Sequence, residues 1–277
     1  MINQIILPKN ADYVLTTSAT ELERLKRQND LWLNDTLTLW NESKINSQHN
    51  ILEIGAGPGF ATFDLARYLG KNCKITAIEL SKEFSIECQK RLANYKNVKI
   101  LNANLLEHRF ENNSFDVCYG RWICMFLPQL EQVLEKIYPA LNKNGIIILQ
   151  EYVDYGSMNL SNSSEFFSMI VKKIMHSFHL AGGNSSVMRI IPNYLKKLGM
   201  NIEILKPIGK IARPGDPLWD WPTQFYHSYI PTILKNGHLT EKDACQFLKE
   251  WDQLSLDNPE NIFWIAPTVG HLIARKI

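Results

Sequence analysis

The sequence predicts an α/β protein built on one seven-stranded, mostly parallel sheet with helices on both faces. Three observations carry this. From residue 50 to about 155, short apolar runs alternate with helical patterns of about 11–15 residues. A strand, a glycine-rich turn and a helix open that stretch at NILEIGAGPG. Two further strand-like stretches, near 200–210 and 262–275, follow a helical interval and bring the strands to seven.

Residues 16–33 come first. Leu22, Leu25, Leu31 and Leu33 give partial helical spacing after Thr20 and Glu21, so a surface helix is expected. NILEI is the first strand, followed by a helix at about 59–69 that Gly70 closes. KITAIEL is the second strand, and SKEFSIECQKRLANY is a helix opening on Ser81. NVKIL and FDVCYGRWI hold the third and fourth strands. PQLEQVLEKIYPAL is a helix with Pro128 at its start, and GIIILQEYV is the fifth strand.

Beyond residue 155 the alternation stops. SSEFFSMIVKKIMHSFHLAGG and RIIPNYLKKLGM read as helices, NIEILKPIGKI as a strand, and residues 212–236 as a stretch rich in Pro, Trp and Tyr. LTEKDACQFLKEWDQL is a helix capped by Thr240. NIFWIAPTVGHLIARKI is strand-like on both sides of Pro267. The expected organisation is a single domain over 1–277: an N-terminal helical lid (1–48), a ligand-binding core (49–155), and cap helices with the last two strands (156–277). Those last strands are expected to close the sheet with one antiparallel edge.

Composition narrows the function. Hydrophobic residues make up 45% of the 277 and charged residues 21%, which argues against a disordered chain. A net charge of +2 is too balanced for an obligate nucleic-acid binder. No apolar run is long enough to span a membrane, and MINQIILPKN lacks the pattern of a secretory leader. Five scattered cysteines without C-x-x-C spacing read as free thiols, so a cytoplasmic setting is expected.

The glycine loop is the most informative motif. In Glu53-Ile54-Gly55-Ala56-Gly57-Pro58-Gly59, glycines let the backbone approach a ligand closely. The dinucleotide fingerprint G-x-G-x-x-G would need a third glycine where Phe60 stands. Pro58 removes an N–H that a pyrophosphate would use, and Glu53 suits an ammonium better than a phosphate. Glu79 ends the second strand, where a carboxylate can accept hydrogen bonds from ribose hydroxyls. A ligand with an amino group, a ribose and no phosphate fits: S-adenosylmethionine.

ILEIGAGPGFAT, ITAIEL, NANLLE, FDVCYGRWICMFL and LEKIYPALNKNGIIILQEY resemble the successive motifs of class I S-adenosylmethionine-dependent methyltransferases. The likeness is to the small-molecule branch typified by ubiquinone- and menaquinone-biosynthesis enzymes. The resemblance implies a Rossmann-like sheet and methyl transfer by in-line displacement. It implies that Glu53, Gly55, Ala56 and Gly57 hold the methionine end, that Glu79 holds the ribose, and that Leu80 lies against the adenine. Asn104 stands where relatives often carry an acidic residue for the adenine amino group, with Leu105 beside it. Arg121 and Trp122 would line the sulfonium side. Tyr13…Glu21-x-Glu-Arg24-Leu-x-x-Gln28 also resembles a bacterial subgroup. Tyr13 precedes the first helix, and Arg24 and Gln28, four apart on one helix face, are expected to close over the methionine carboxylate as a lid.

The acceptor side is less defined. Glu151, Tyr152, Asp154 and Tyr155 follow the fifth strand, whose C-terminal end faces the ligand crevice. His176 and His179 share one helix face, and His227 lies among Trp219, Trp221, Phe225, Tyr226 and Tyr229. Glu151, Tyr152, His176, His179 and His227 are therefore the candidates for a catalytic group, and a small-molecule acceptor is expected between these segments. No metal site is expected. The alternatives are a non-catalytic S-adenosylmethionine-binding protein of the same fold, and an NAD-dependent dehydrogenase.

Overall fold

Strand β1 (Asn50–Ile54) sits inside the sheet because four of its five residues are buried, on both faces. It pairs in parallel with β2 (Lys74–Glu79) on one side and β4 (Phe115–Arg121) on the other. The computed structural model describes residues 19–162, 164–256 and 259–277. Tyr13 lies outside the described residues. β3 (Val98–Asn102) flanks β2, and β5 (Leu141–Asp154) flanks β4, both in parallel. With β7 (Met200–Ile208) and β10 (Thr268–Lys276), the sheet reads β3-β2-β1-β4-β5-β10-β7. Strand order reverses between β1 and β4, the place where open α/β sheets leave a crevice at their C-terminal ends.

The far edge departs from expectation. β10 (Thr268–Lys276) runs antiparallel between β5 and β7 (Met200–Ile208), so the antiparallel strand lies one place in from the edge. Its burial explains this: from Val269 to Ala274 every residue is buried, whereas β7 alternates between buried or half-buried and exposed residues. A small second sheet joins β6 (Asn159–Leu160), β9 (Trp264–Ile265) and β8 (Ile211–Ala212).

Helices α2 (Phe60–Leu69), α3 (Lys82–Arg91) and α4 (Leu130–Ala140) make the crossovers. The expected caps hold: Ser81 Oγ accepts from the Phe84 N–H at 3.2 Å, and Thr240 Oγ1 from the Asp243 N–H at 3.1 Å. α4 starts at Leu130, two residues after Pro128. Helices α5 (Glu165–Leu180), α6 (Ile191–Lys197), α7 (Asp220–Lys235) and α8 (Glu241–Leu254) build the cap. The first helix, α1 (Ala19–Ser43), runs ten residues past its expected end. Trp32, Leu39 and Trp40 are fully buried, so this second half belongs to the core.

Candidate active site

Strand β1 delivers the glycine loop to the reversal point. The Gly55 and Ala56 N–H groups donate to Ile78 O at 2.9 and 3.1 Å, which turns the chain toward the end of β2. Gly55 has φ +66°, and a Cβ there would meet Ile123 Cγ1 at 2.5 Å, so backbone shape and packing both demand glycine. Gly57 has φ +56° with open space beside it. Its N–H donates to Glu79 Oε2 at 2.8 Å, while Glu79 Oε1 accepts from the Ser81 N–H at 2.8 Å. One carboxylate thus ties both loops and keeps further lone pairs for a ligand. Burial pushes its pKa up, against the pull of these N–H groups.

Glu53 is buried at the end of β1. Desolvation pushes its pKa up to about 7, with Thr62 and Arg121 acting against and Glu79 adding repulsion. Its Oε2 has no hydrogen-bond partner among the described residues. A buried, unpartnered carboxylate oxygen is costly, and an ammonium donor placed against it would relieve that cost. Phe60, where a dinucleotide loop needs glycine, starts α2 and lies under the Arg91 guanidinium at 3.7 Å.

Leu80, Asn104 and Leu105 line the far side of the loop. Asn104 Oδ1 already accepts from the Leu106 N–H at 2.9 Å. Asn102, which opens the NANLLE motif but is given no role there, donates through Nδ2 to Glu79 O at 3.0 Å and Leu80 O at 2.9 Å. A polar residue at the C-terminal end of the third strand was the available signal.

Helix α1 crosses above the loop. Arg24 donates through Nε and Nη2 to the two Glu21 carboxylate oxygens, both at 2.7 Å, and through Nη1 to Gln28 Oε1 at 2.8 Å. Arg24 and Gln28 line the cavity. Arg121 donates to Asn29 Oδ1 at 2.5 Å and Thr36 Oγ1 at 3.2 Å, and Thr36 donates to Gln150 Oε1 at 2.9 Å. Glu53, Arg121 and α1 therefore form one polar wall.

Past Trp122 the cavity turns aromatic. Trp122 holds a left-handed φ of 51°, unusual for a bulky residue, and its N–H donates to Gln150 O at 3.0 Å. Its ring stacks on Tyr152 at 6.2 Å and tilts against Trp221 at 6.3 Å. Tyr155, Met158, Phe178, Phe225, Tyr226 and Trp264 continue the lining. The cavity measures about 1280 Å³, above the roughly 300–1,000 Å³ of a single-ligand pocket, so it has room for a cofactor and an acceptor together.

The acceptor-side candidates separate. Tyr152 and Tyr155 face the cavity. Asp154 instead pairs with Arg189 at 2.6 Å. Glu151 is fully buried behind the wall, and its Oε1 accepts from the Ile123 and Cys124 N–H groups, both at 2.8 Å. Burial pushes its pKa up to about 7. The three histidines are corrected: His176, His179 and His227 are exposed and do not line the cavity. α5 buries Ile170, Val171, Ile174, Ser177 and Phe178, which turns both of its histidines outward. His227 pairs with Asp252 at 2.8 Å. Among the described residues, no three His, Cys, Asp or Glu side chains converge to hold a metal ion.

Residues 45–186 match a family model described as a methyltransferase domain. The chain is similar to (S)-coclaurine N-methyltransferase of Thalictrum flavum subsp. glaucum, 25% identical over 60% of this chain and 52% of that one. Among solved structures it is similar to phosphoethanolamine N-methyltransferase 2 of Haemonchus contortus in complex with S-adenosyl-L-methionine. That likeness has a TM-score of 0.56 and 18% identity, over 88% of this chain and 52% of that one. A SAM-dependent methyltransferase from Aquifex aeolicus superposes with a TM-score of 0.52 and 14% identity, over 68% and 91%. The chain spans about half the length of the curated relatives it matches.

Proposed function

This chain belongs to the methyltransferase domain family, and we propose that it takes S-adenosylmethionine as its cofactor and methylates a small-molecule acceptor seated in the aromatic half of the cavity. One observation carries the reading: the cavity joins a loop wall holding a buried carboxylate with one unpartnered oxygen, Glu53 Oε2, to an aromatic chamber across Trp122. The bound cofactor supplies an activated methyl group on a good leaving group.

The chain's own residues bind, orient and exclude water. Glu53 receives the amino group, with Gly55, Ala56 and Gly57 giving close backbone approach. Glu79 accepts the ribose hydroxyls, while Leu80, Asn104 and Leu105 flank the adenine. Arg24, Gln28 and Arg121 offer donors to the methionine carboxylate, and Tyr13 is assigned to the same end. Trp122 and Tyr152 form the border between the two halves. Desolvation and alignment are the main tasks. We assign 1–48 as the lid, 49–155 as the cofactor core and 156–277 as the acceptor cap. Five cysteines, free in the structure, support a reducing cytoplasm as the working compartment, and the balanced net charge supports a small molecule over nucleic acid as partner. A dehydrogenase is disfavoured by Phe60 at the start of α2.

The test is an acceptor screen with methyl-labelled S-adenosylmethionine. The reading expects a product heavier by one labelled methyl, with stoichiometric S-adenosylhomocysteine. S-adenosylhomocysteine binding with no methylated product from any acceptor class would favour the non-catalytic binder.

A further inference from the structure

Charge is distributed unevenly around the cavity. Every charged residue lining it, from Arg24 through Glu53 and Glu79 to Arg121, precedes Trp122 in the sequence. From Trp122 onward, the described lining residues include no Lys, Arg, His, Asp or Glu. What they offer instead is ring faces. Trp122 meets Tyr152 and Trp221, Trp221 meets Trp264 at 5.8 Å, and Tyr152 meets Tyr155 at 5.0 Å.

This lining discriminates among acceptors. A carboxylate or phosphate acceptor would find no cation among those residues; the nearest, Arg121, stands at the border, 5.1 Å from the Trp122 ring centroid, and is hydrogen-bonded to Asn29 and Thr36. A hydroxyl acceptor must surrender its proton, and the phenols of Tyr155 and Tyr226 are poor bases, held neutral far up the scale by burial. A neutral amine needs neither. Its lone pair is available without a protein base, and a dry aromatic chamber favours its uncharged form. As the nitrogen becomes positive, it faces the negative ring faces of Trp and Tyr. The nearest cations stand at the chamber's border: Arg24, paired through two bonds with Glu21, and Arg121, hydrogen-bonded to Asn29 and Thr36.

We propose that the acceptor is a lipophilic amine, methylated on nitrogen, whose product ammonium is held by the aromatic faces of Tyr152 and Trp221, beyond the Trp122 ring that Arg121 occupies. The proposal rests on the methyl-transfer reading above. The nitrogen lone pair forms the new N–C bond while the C–S bonding pair leaves with sulfur. Positive charge passes from sulfur to nitrogen, and any N–H proton departs afterwards to water.

The test is binding to the full chain saturated with S-adenosylhomocysteine. Three probes share one phenyl body: N,N,N-trimethyl-2-phenylethylammonium, its neutral carbon isostere (3,3-dimethylbutyl)benzene, and 3-phenylpropionate. The ammonium should bind roughly two- to thirtyfold tighter than the isostere, and the carboxylate weakest. Trp221→Leu should erase that preference while S-adenosylhomocysteine affinity is kept, and Trp221→Phe, the safer variant for folding, should keep part of it. Equal or tighter binding of the isostere or the carboxylate overturns the proposal, as does failure of all three probes to bind. Failure of S-adenosylhomocysteine itself to bind would instead overturn the methyl-transfer reading.

Discussion

Glu151 holds Ile123 in place: its Oε1 accepts the Ile123 N–H at 2.8 Å and the Cys124 N–H at the same distance. The Ile123 side chain in turn fills the space that a Cβ on Gly55 would need. A carboxylate outside the cavity therefore fixes the turn between Trp122, on the acceptor wall, and the cofactor loop.

Glu151→Gln should keep an acceptor for both N–H groups while removing a titrating group. Glu151 has a pKa of about 7 in the folded chain against an ordinary 4.5. The folded state thus keeps a proton that the unfolded chain releases between those values. The stability from this group is fully present below about 4.5 and is lost as pH rises through about 7, roughly 3 kcal/mol over the window. Glu53 acts with the same sign, whereas His271, pushed down to about 4 by burial, opposes both between about 4 and 6.5. Thermal unfolding from pH 5 to 8 should show Glu151→Gln with a shallower decline than the parent and greater stability at pH 8. Glu151→Leu, which strands two buried donors, should lose about 2–6 kcal/mol. Parallel pH profiles for Glu151→Gln and the parent would contradict this account of Glu151.

Gly55→Ala should be severe. The backbone lies at φ +66°, and the new methyl would meet Ile123 Cγ1 at 2.5 Å. A loss of about 1–3 kcal/mol from backbone strain alone is expected, together with at least about tenfold weaker S-adenosylhomocysteine binding. Adding Ile123→Ala should recover part of the stability, because it removes the Cγ1 and Cδ1 contacts at 2.5 and 2.6 Å, while the Cβ contact at 2.7 Å and the φ strain stay. Chemical denaturation of both variants checks this, and a neutral Gly55→Ala would refute it.

The exposed histidines make the opposite prediction. Replacing His176, His179 and His227 with alanine, singly or together, should leave turnover within about twofold, since none lines the cavity. A loss of about a hundredfold in any single variant would return that histidine to the chemistry.

What the sequence disclosed follows from how local each signal is. Ser81 and Thr240 announce their helices because an N-cap acts within three residues. The glycine loop is legible because its positive φ values exclude other residues. Helix α7 was harder to read, since it carries Pro222 in its first turn and Pro231 inside, in a stretch of Trp and Tyr that reads as irregular. The outward turn of His176 and His179 was available from the buried spacing of α5. Glu151 was readable only as a strand-end acid. Its hold on Ile123 joins residues 28 apart, and no local pattern encodes it.

Glu53 gives the cofactor site a proton linkage. Its carboxyl titrates near 7 in the free chain, and an ammonium beside it would favour the ionised form. Binding of S-adenosylhomocysteine should therefore release protons below about pH 7 and tighten as pH rises to that value, then level off. Calorimetry in buffers of different ionisation enthalpy reads the release directly. Glu53→Gln should abolish it, and proton uptake in the parent would place the amino group elsewhere.

The most direct test of the central claim is a calorimetric titration of the full chain with S-adenosylhomocysteine and, separately, with NAD⁺, repeated on Glu79→Ala. The account predicts one-to-one binding of S-adenosylhomocysteine, no comparable binding of NAD⁺, and roughly ten- to hundredfold weaker binding of S-adenosylhomocysteine to a folded Glu79→Ala. Tighter binding of NAD⁺, or unchanged affinity in that variant, would contradict it.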